Sequence, residues 1–141
     1  MQFELKLPLL GFESIKSMQL TKIDDIFMQL ENSSDDAKPS FTLINPFVLK
    51  KYEIDIPLSV QNLLDIQEDS NLLIFNIVII HKPLEKSTVN FIAPLVFNTD
   101  NQTMAQFILD GKALQEHGMA EAICDFMNKE EQNDESPVSN A

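Results

Sequence analysis

The chain has no arginine. All 10 of its basic residues are lysines, set against 22 aspartates and glutamates for a net charge of −12. Nucleic-acid readers depend on cationic patches and on the planar fork of arginine, so direct RNA or DNA binding is disfavoured. A basic protein partner suits this charge better. Cysteine occurs once, at Cys124, which excludes an internal disulfide and a thiolate metal cage and fits a reducing compartment. That residue reads as a small helix-edge hydrophobe. Glycine stands only at 11, 111 and 118, so no phosphate-cradling loop can be written. Neither His81 nor His117 has a second ligand at zinc-site spacing. The acidic pairs Asp24 with Asp25 and Asp35 with Asp36 sit in polar turns without the spacing of a calcium loop. No catalytic, cofactor-binding or metal-ligating residue follows, and the chain reads as a non-enzyme.

Long hydrophobic runs are also missing. Leu72 to Ile80, interrupted at Asn76, falls far short of the ~20 residues that span a bilayer. The start, Met1-Gln2-Phe3-Glu4-Leu5-Lys6, alternates apolar with charged residues and lacks the basic head and apolar centre of a secretion signal. The reading is a protein of the cytoplasm that does not contact membranes.

What is present is a succession of short strand patterns in 141 residues, enough for one core. Gln2 to Leu7 has a period of two, and Leu7 to Glu13 breaks it with Pro8 and Gly11. Met18 to Lys22 and Ile26 to Glu31 flank an Asp24-Asp25 turn, and the polar stretch 32–40 is a loop. Phe41 to Ile44 and Lys51 to Ile56 read as strands around Asn45-Pro46-Phe47. Ser59 is the expected cap of one short helix bearing Val60, Leu63, Leu64 and Ile66, placed as a lid or plug over one barrel end. Leu72 to Ile80 reads as the central strand, buried on both faces. Ser87 to Asn98 reads as a strand with Pro94 at an edge, bulge or end, followed by a hairpin return over Thr103 to Leu109.

Together these patterns predict a mainly β protein: a small antiparallel β-barrel-like domain over residues 1–110, with one short helix. Residues 111–129 form a helical extension in this reading. From Met119 onward, Met119, Ala122, Ile123, Phe126 and Met127 recur at helical spacing opposite Glu121, Asp125 and Asn128, an amphipathic helix. Residues 130–141 lack apolar periodicity and read as a disordered acidic tail.

Taken in order, Leu10-Gly11-Phe12-Glu13, Asn45-Pro46-Phe47, Tyr52-Glu53-Ile54-Asp55-Ile56-Pro57, Phe75-Asn76-Ile77-Val78, Thr88 to Asn98 and Gln106-Phe107-Ile108-Leu109 resemble the flagellar assembly factor family FliW. The T-V-N-x-x-A-P-x-V-x-N block beside G-F-E and N-P-F is the specific part. The likeness runs from about Phe3 to Leu109, and no family pattern is legible beyond it. It implies a compact antiparallel barrel without catalysis and two partners. One is flagellin, bound in the cytoplasm before export. The other is the translational repressor CsrA, which the free protein would bind and antagonise, relieving repression of flagellin mRNA translation.

A standard interface buries roughly 800 Å² per partner around a few aromatic anchors. Phe12, Phe47 and Tyr52 are the expected anchors, each beside a Pro or Gly turn, with Glu13 and Asn45 from the same motifs. The alternative places these aromatics in the core. Glu116, Glu121 and Asp125 lead an acidic C-terminal stretch expected to strengthen CsrA binding more than flagellin binding; the competing account is that these acids only solvate the chain. Self-repulsion favours a monomer. A small-ligand-binding β-barrel or a cryptic hydrolase is the rival reading of the whole chain.

Overall fold

The computed structural model describes residues 1–9, 11–34 and 36–126. Leu10, Asp35, the far end of the predicted C-terminal helix (Met127, Asn128) and the predicted acidic tail lie outside the described residues. Among the described residues nine strands form the sheet: β1 (Gln2–Leu5), β2 (Ser17–Lys22), β3 (Phe27–Asn32), β4 (Ser40–Ile44), β5 (Leu72–Ile79), β6 (Thr88–Val89), β7 (Leu95–Asn98), β8 (Thr103–Gln106) and β9 (Glu121–Ala122). Their order is β4-β3-β2-β1-β8-β7-β5-β6-β9, and β4 also pairs with β5, which closes seven of them into a barrel. All pairs are antiparallel except β1 with β8, where Leu5 lies opposite Met104. That parallel contact joins the first strand to the last barrel strand and has no counterpart in the hairpin-by-hairpin sequence reading.

Alternation along the strands sorts side chains to two sides of the wall. Phe3, Met18, Leu30, Leu43, Phe75, Leu95, Phe97 and Met104 point to one side and form a single buried cluster, which fills the barrel. Ile44, Val78, Val96 and Ala105 point the other way into a second cluster with Tyr52, Val60, Leu64, Phe91, Ile123 and Phe126. The wall from β4 through β5 to β8 is therefore covered on both faces, as the apolar run of β5 predicts, except at the far end of that run, where Ile79 and Ile80 are exposed. Polar Asn76 fits because its Nδ2 donates to the Asn90 carbonyl (2.9 Å) and to the Tyr52 hydroxyl (3.1 Å).

The outer layer corrects several sequence expectations. Residues 51–56 join no strand pairing, because Leu43 of β4 pairs directly with Ile77 of β5 and leaves no free edge. Their alternation reports packing on the outer wall instead. The helix α1 (Leu58–Leu63) is capped by Pro57 without a side-chain bond, and Ser59 lies inside it. Its Val60, and Leu64 just after it, belong to the outer cluster, so it covers the wall and is neither lid nor plug of a barrel end. The 87–98 segment is two strands, β6 and β7, and Pro94 sits buried just before β7.

Past the barrel, a second short helix, α2 (Gly111–Glu116), precedes β9, so Glu121 and Ala122 are strand where the periodicity predicts helix. Residues 123–126 then turn helical, with Ile123 and Phe126 buried. In the β2–β3 turn, Asp24 Oδ1 accepts the amides of Ile26 and Phe27, both at 2.8 Å, which is the structural role of that carboxylate. The Phe27 amide, then the Ile26 amide, holds its carboxyl below the usual range. No helix among the described residues is long and apolar enough to cross a membrane.

Candidate functional site

The β1–β2 connection crosses one end of the barrel. Gly11 takes φ +87°, a conformation open to glycine, and lets the chain reverse so that the Phe12 amide reaches the Leu9 carbonyl at 2.9 Å. Leu9 and Ile15 are buried and plug this end, whereas Phe12 stays 38% exposed with its ring edge-on to Phe41 at 5.5 Å. Beside Phe12 an apolar groove of about 360 Å³ opens between Phe41, Ile77, Ile92, Ile108 and Met119. Asn90, Ala93 and Gln106 complete its lining. Asn90 Oδ1 holds the Ile92 amide at 3.1 Å, and Gln106 Nε2 donates to the Ala93 carbonyl at 3.2 Å, so both polar side chains act as braces for the groove backbone. Four of the motif blocks, those carrying Phe12, Ile77, Asn90 with Ile92 and Ala93, and Gln106 with Ile108, meet here although they are separated in sequence. Glu13, exposed at this end, accepts the Gly11 amide at 3.3 Å.

A second groove, about 530 Å³, lies on the outer wall and is lined by Phe47, Tyr52, Glu53, Asp55, Lys112 and Glu116 among others. Asn45 positions Phe47 by accepting its amide at 3.0 Å over the 3₁₀ turn Pro46–Val48. Phe47 is 53% exposed, as an anchor must be. Tyr52 is a correction: it is only 4% exposed and belongs to the core. Its hydroxyl donates to the Phe91 carbonyl at 2.6 Å, and burial pushes its phenol up to about 12. Glu116 is exposed and pairs loosely with Lys112 at 3.7 Å.

Glu121 is not a free rim acid. Both of its carboxylate oxygens hold Lys50, at 3.2 and 3.1 Å, and one also accepts the Gly118 amide. Lys50 in turn lies 4.0 Å from the centre of the Phe91 ring. Next to this clamp His117 stacks edge-on against Tyr52 at 4.8 Å, and neither of its ring nitrogens has a hydrogen-bond partner. Burial, then the Lys50 charge, lowers its pKa. Asp125 is exposed on the 123–126 turn, apart from both grooves. The eight predicted positions thus fall into separate places: Phe12 and Glu13 at the barrel end, Asn45, Phe47, Tyr52 and Glu116 along the wall, Glu121 in an internal clamp, and Asp125 alone. Sequence reasoning missed Ile108 and Met119 as groove residues. The alternation of Phe107, Ile108 and Leu109 was the available signal, since the two flanking side chains are buried and the middle one is not.

Residues 1–119 match the family model described as FliW protein. The chain belongs to the FliW family. FliW relatives extend the likeness past Leu109, where the motif reading stopped. The chain is 51% identical over 141 residues to "Flagellar assembly factor FliW 2" of Wolinella succinogenes, covering 100% of both. It is 49% identical over 129 residues to "Flagellar assembly factor FliW" of Sulfurimonas denitrificans, covering 92% of this chain and all of the relative. A solved structure described as "Crystal structure of the flagellar assembly factor FliW" superposes with a TM-score of 0.78 at 23% identity, over 86% of this chain and 84% of that one. At that identity the superposition shows the FliW fold. The relatives' names describe assembly factors and no enzyme.

Proposed function

We propose that this chain acts as a flagellar assembly factor in the cytoplasm, binding flagellin before export and, when free of it, binding and antagonising the repressor CsrA so that flagellin mRNA is translated. Family membership supports the reading, and one observation favours a docking surface at the barrel end: four separated motif blocks line a single open apolar groove there, with exposed Phe12, Ile108 and Met119 around it. Exposed large apolar side chains that share a groove are the ordinary signature of a protein-docking surface. The barrel interior is filled by Phe3, Phe97, Leu30 and their neighbours, which counts against a ligand-holding barrel.

The two partners exclude each other in this scheme, since binding of one changes the other's affinity only through shared or coupled surface. The test is competition by calorimetry and gel filtration. The complex with CsrA is preformed, flagellin is added, and release of CsrA is expected. A stable ternary complex would refute mutual exclusion, and absence of binding to either protein would refute the proposed function.

A further inference from the structure

Residues 117–126 form a strap along the outer edge of β6. The Phe91 amide donates to the Gly118 carbonyl at 3.0 Å, the Ile123 amide donates to the Ser87 carbonyl at 2.9 Å, and between them Thr88 faces Ala122 and Val89 faces Glu121. The inner edge of β6 is already taken by β5, where Val78 lies opposite Val89. The strap therefore occupies a strand position whose removal would leave unpaired backbone groups beside the wholly buried Val89 and Phe91.

Two features set the chemistry of whatever fills that position. Lys50, with a side chain only 17% exposed, needs a carboxylate, and Glu121 supplies it. Two residues on, where the strand gives way to a helical turn, Ile123 enters the outer cluster with its amide still bonded to the Ser87 carbonyl. The strap is held through its side chains, Glu121 on Lys50 and the buried Ile123 and Phe126, more than through backbone pairing. Its ladder is two residues long, and docking shuts both His117 nitrogens away from any partner, which opposes the docked state.

We propose that the outer edge of β6 is a strand-accepting site, filled in cis by the strap, and that its exchange partner is an extended protein segment bearing a carboxylate for Lys50 and a branched apolar side chain two residues later. Such a segment displaces the strap by β-augmentation, the ladder supplying affinity and Lys50 supplying selectivity. This site is separate from the barrel-end groove and does not depend on flagellin or CsrA binding there.

The test uses the full chain and a synthetic peptide with the sequence of residues 116–127. In the unmodified chain the Asn90 amide, bonded to Ile77 of the barrel at 3.0 Å, serves as the internal standard for the adjacent Phe91 amide, bonded to the strap. Strap opening is expected to make Phe91 and Ile123 exchange hydrogen at least ~10-fold faster than Asn90. The peptide is expected to bind Glu121→Lys, whose own strap is repelled by Lys50, at least ~10-fold more tightly than the unmodified chain; Glu121→Gln serves the same purpose if the lysine variant folds poorly. A peptide with lysine in place of its own glutamate at the position of Glu121 is expected to lose that affinity. Phe91 exchange as slow as that of Asn90, no binding of the peptide to any chain, or equal binding of the two peptides would overturn the proposal.

Discussion

The hydroxyl of Tyr52 donates to the carbonyl of Phe91 at 2.6 Å and thereby ties the irregular 51–57 segment to the link between β6 and β7. The same oxygen accepts from Asn76 of β5 at 3.1 Å, so one phenol joins three parts of the outer layer to the barrel wall. Removing it in Tyr52→Phe strands a buried carbonyl and half of the Asn76 amide. A loss of about 1–3 kcal/mol is expected by urea denaturation, with the fold retained.

The phenol also gives the protein an alkaline limit. Its pKa is raised from 10.0 to about 12, so the folded state holds the proton more tightly than the unfolded chain does. Stability from this group is complete below pH 10.0 and is lost as pH rises toward about 12. Unfolding monitored through that window is expected to steepen for the native chain, and the Tyr52→Phe variant is expected to lack this component.

His117 imposes the opposite dependence. Its pKa lies below the ordinary 6.5 of a histidine, chiefly through burial and then through Lys50, so the folded state favours the neutral ring. That contribution is present above pH 6.5 and disappears as pH falls through the lowered value. His117→Phe keeps the ring contact with Tyr52 and removes both unpartnered nitrogens. It is expected to flatten stability between pH 7 and 5, measured by thermal melts.

Phe12→Ala tests the barrel-end groove. Because Phe12 is partly exposed and its main aromatic contact is Phe41, the change is expected to lower stability by no more than about 1 kcal/mol. Calorimetry is expected to show at least a ~10-fold loss of affinity for flagellin, for CsrA, or for both. Unchanged affinity for both partners would place docking elsewhere.

The C-terminal acids call for a truncation that respects the core. Ile123 and Phe126 are buried, so cutting before them would empty the outer cluster; Phe126→Ala alone is expected to cost about 3–5 kcal/mol. A chain ending at residue 126 is expected to keep its melting temperature and to lose more affinity for CsrA than for flagellin. Equal affinities before and after truncation would leave the acids a solvating role only.

Much of the barrel was legible because its signals are local. β2, β3 and β4 announce themselves by composition and by the Asp24-Asp25 and 32–40 turns, and β5 by an apolar run that the wall, covered on both faces, explains. The failures share one cause. Residues 51–56 carry strand alternation, and residues 119–127 carry helical spacing, yet the partner surface decided both. Closure of β4 on β5 denied a ladder to the first, and the open edge of β6 turned Glu121 and Ala122 into strand. Tyr52 was misplaced for the same reason, since a tyrosine beside a proline turn looks alike whether a second layer covers it or not.

From its own residues the chain determined a mainly β character, an acidic, arginine-free surface and, through its motif blocks, its family, because composition and period act over a few neighbouring positions. Tertiary structure alone decided the parallel contact of Leu5 with Met104, the meeting of Phe12 with Ile92 and Ile108, and the pairing of Glu121 with Lys50. Those depend on which segments lie side by side once a barrel closes, and barrel closure is a property of all the strands at once.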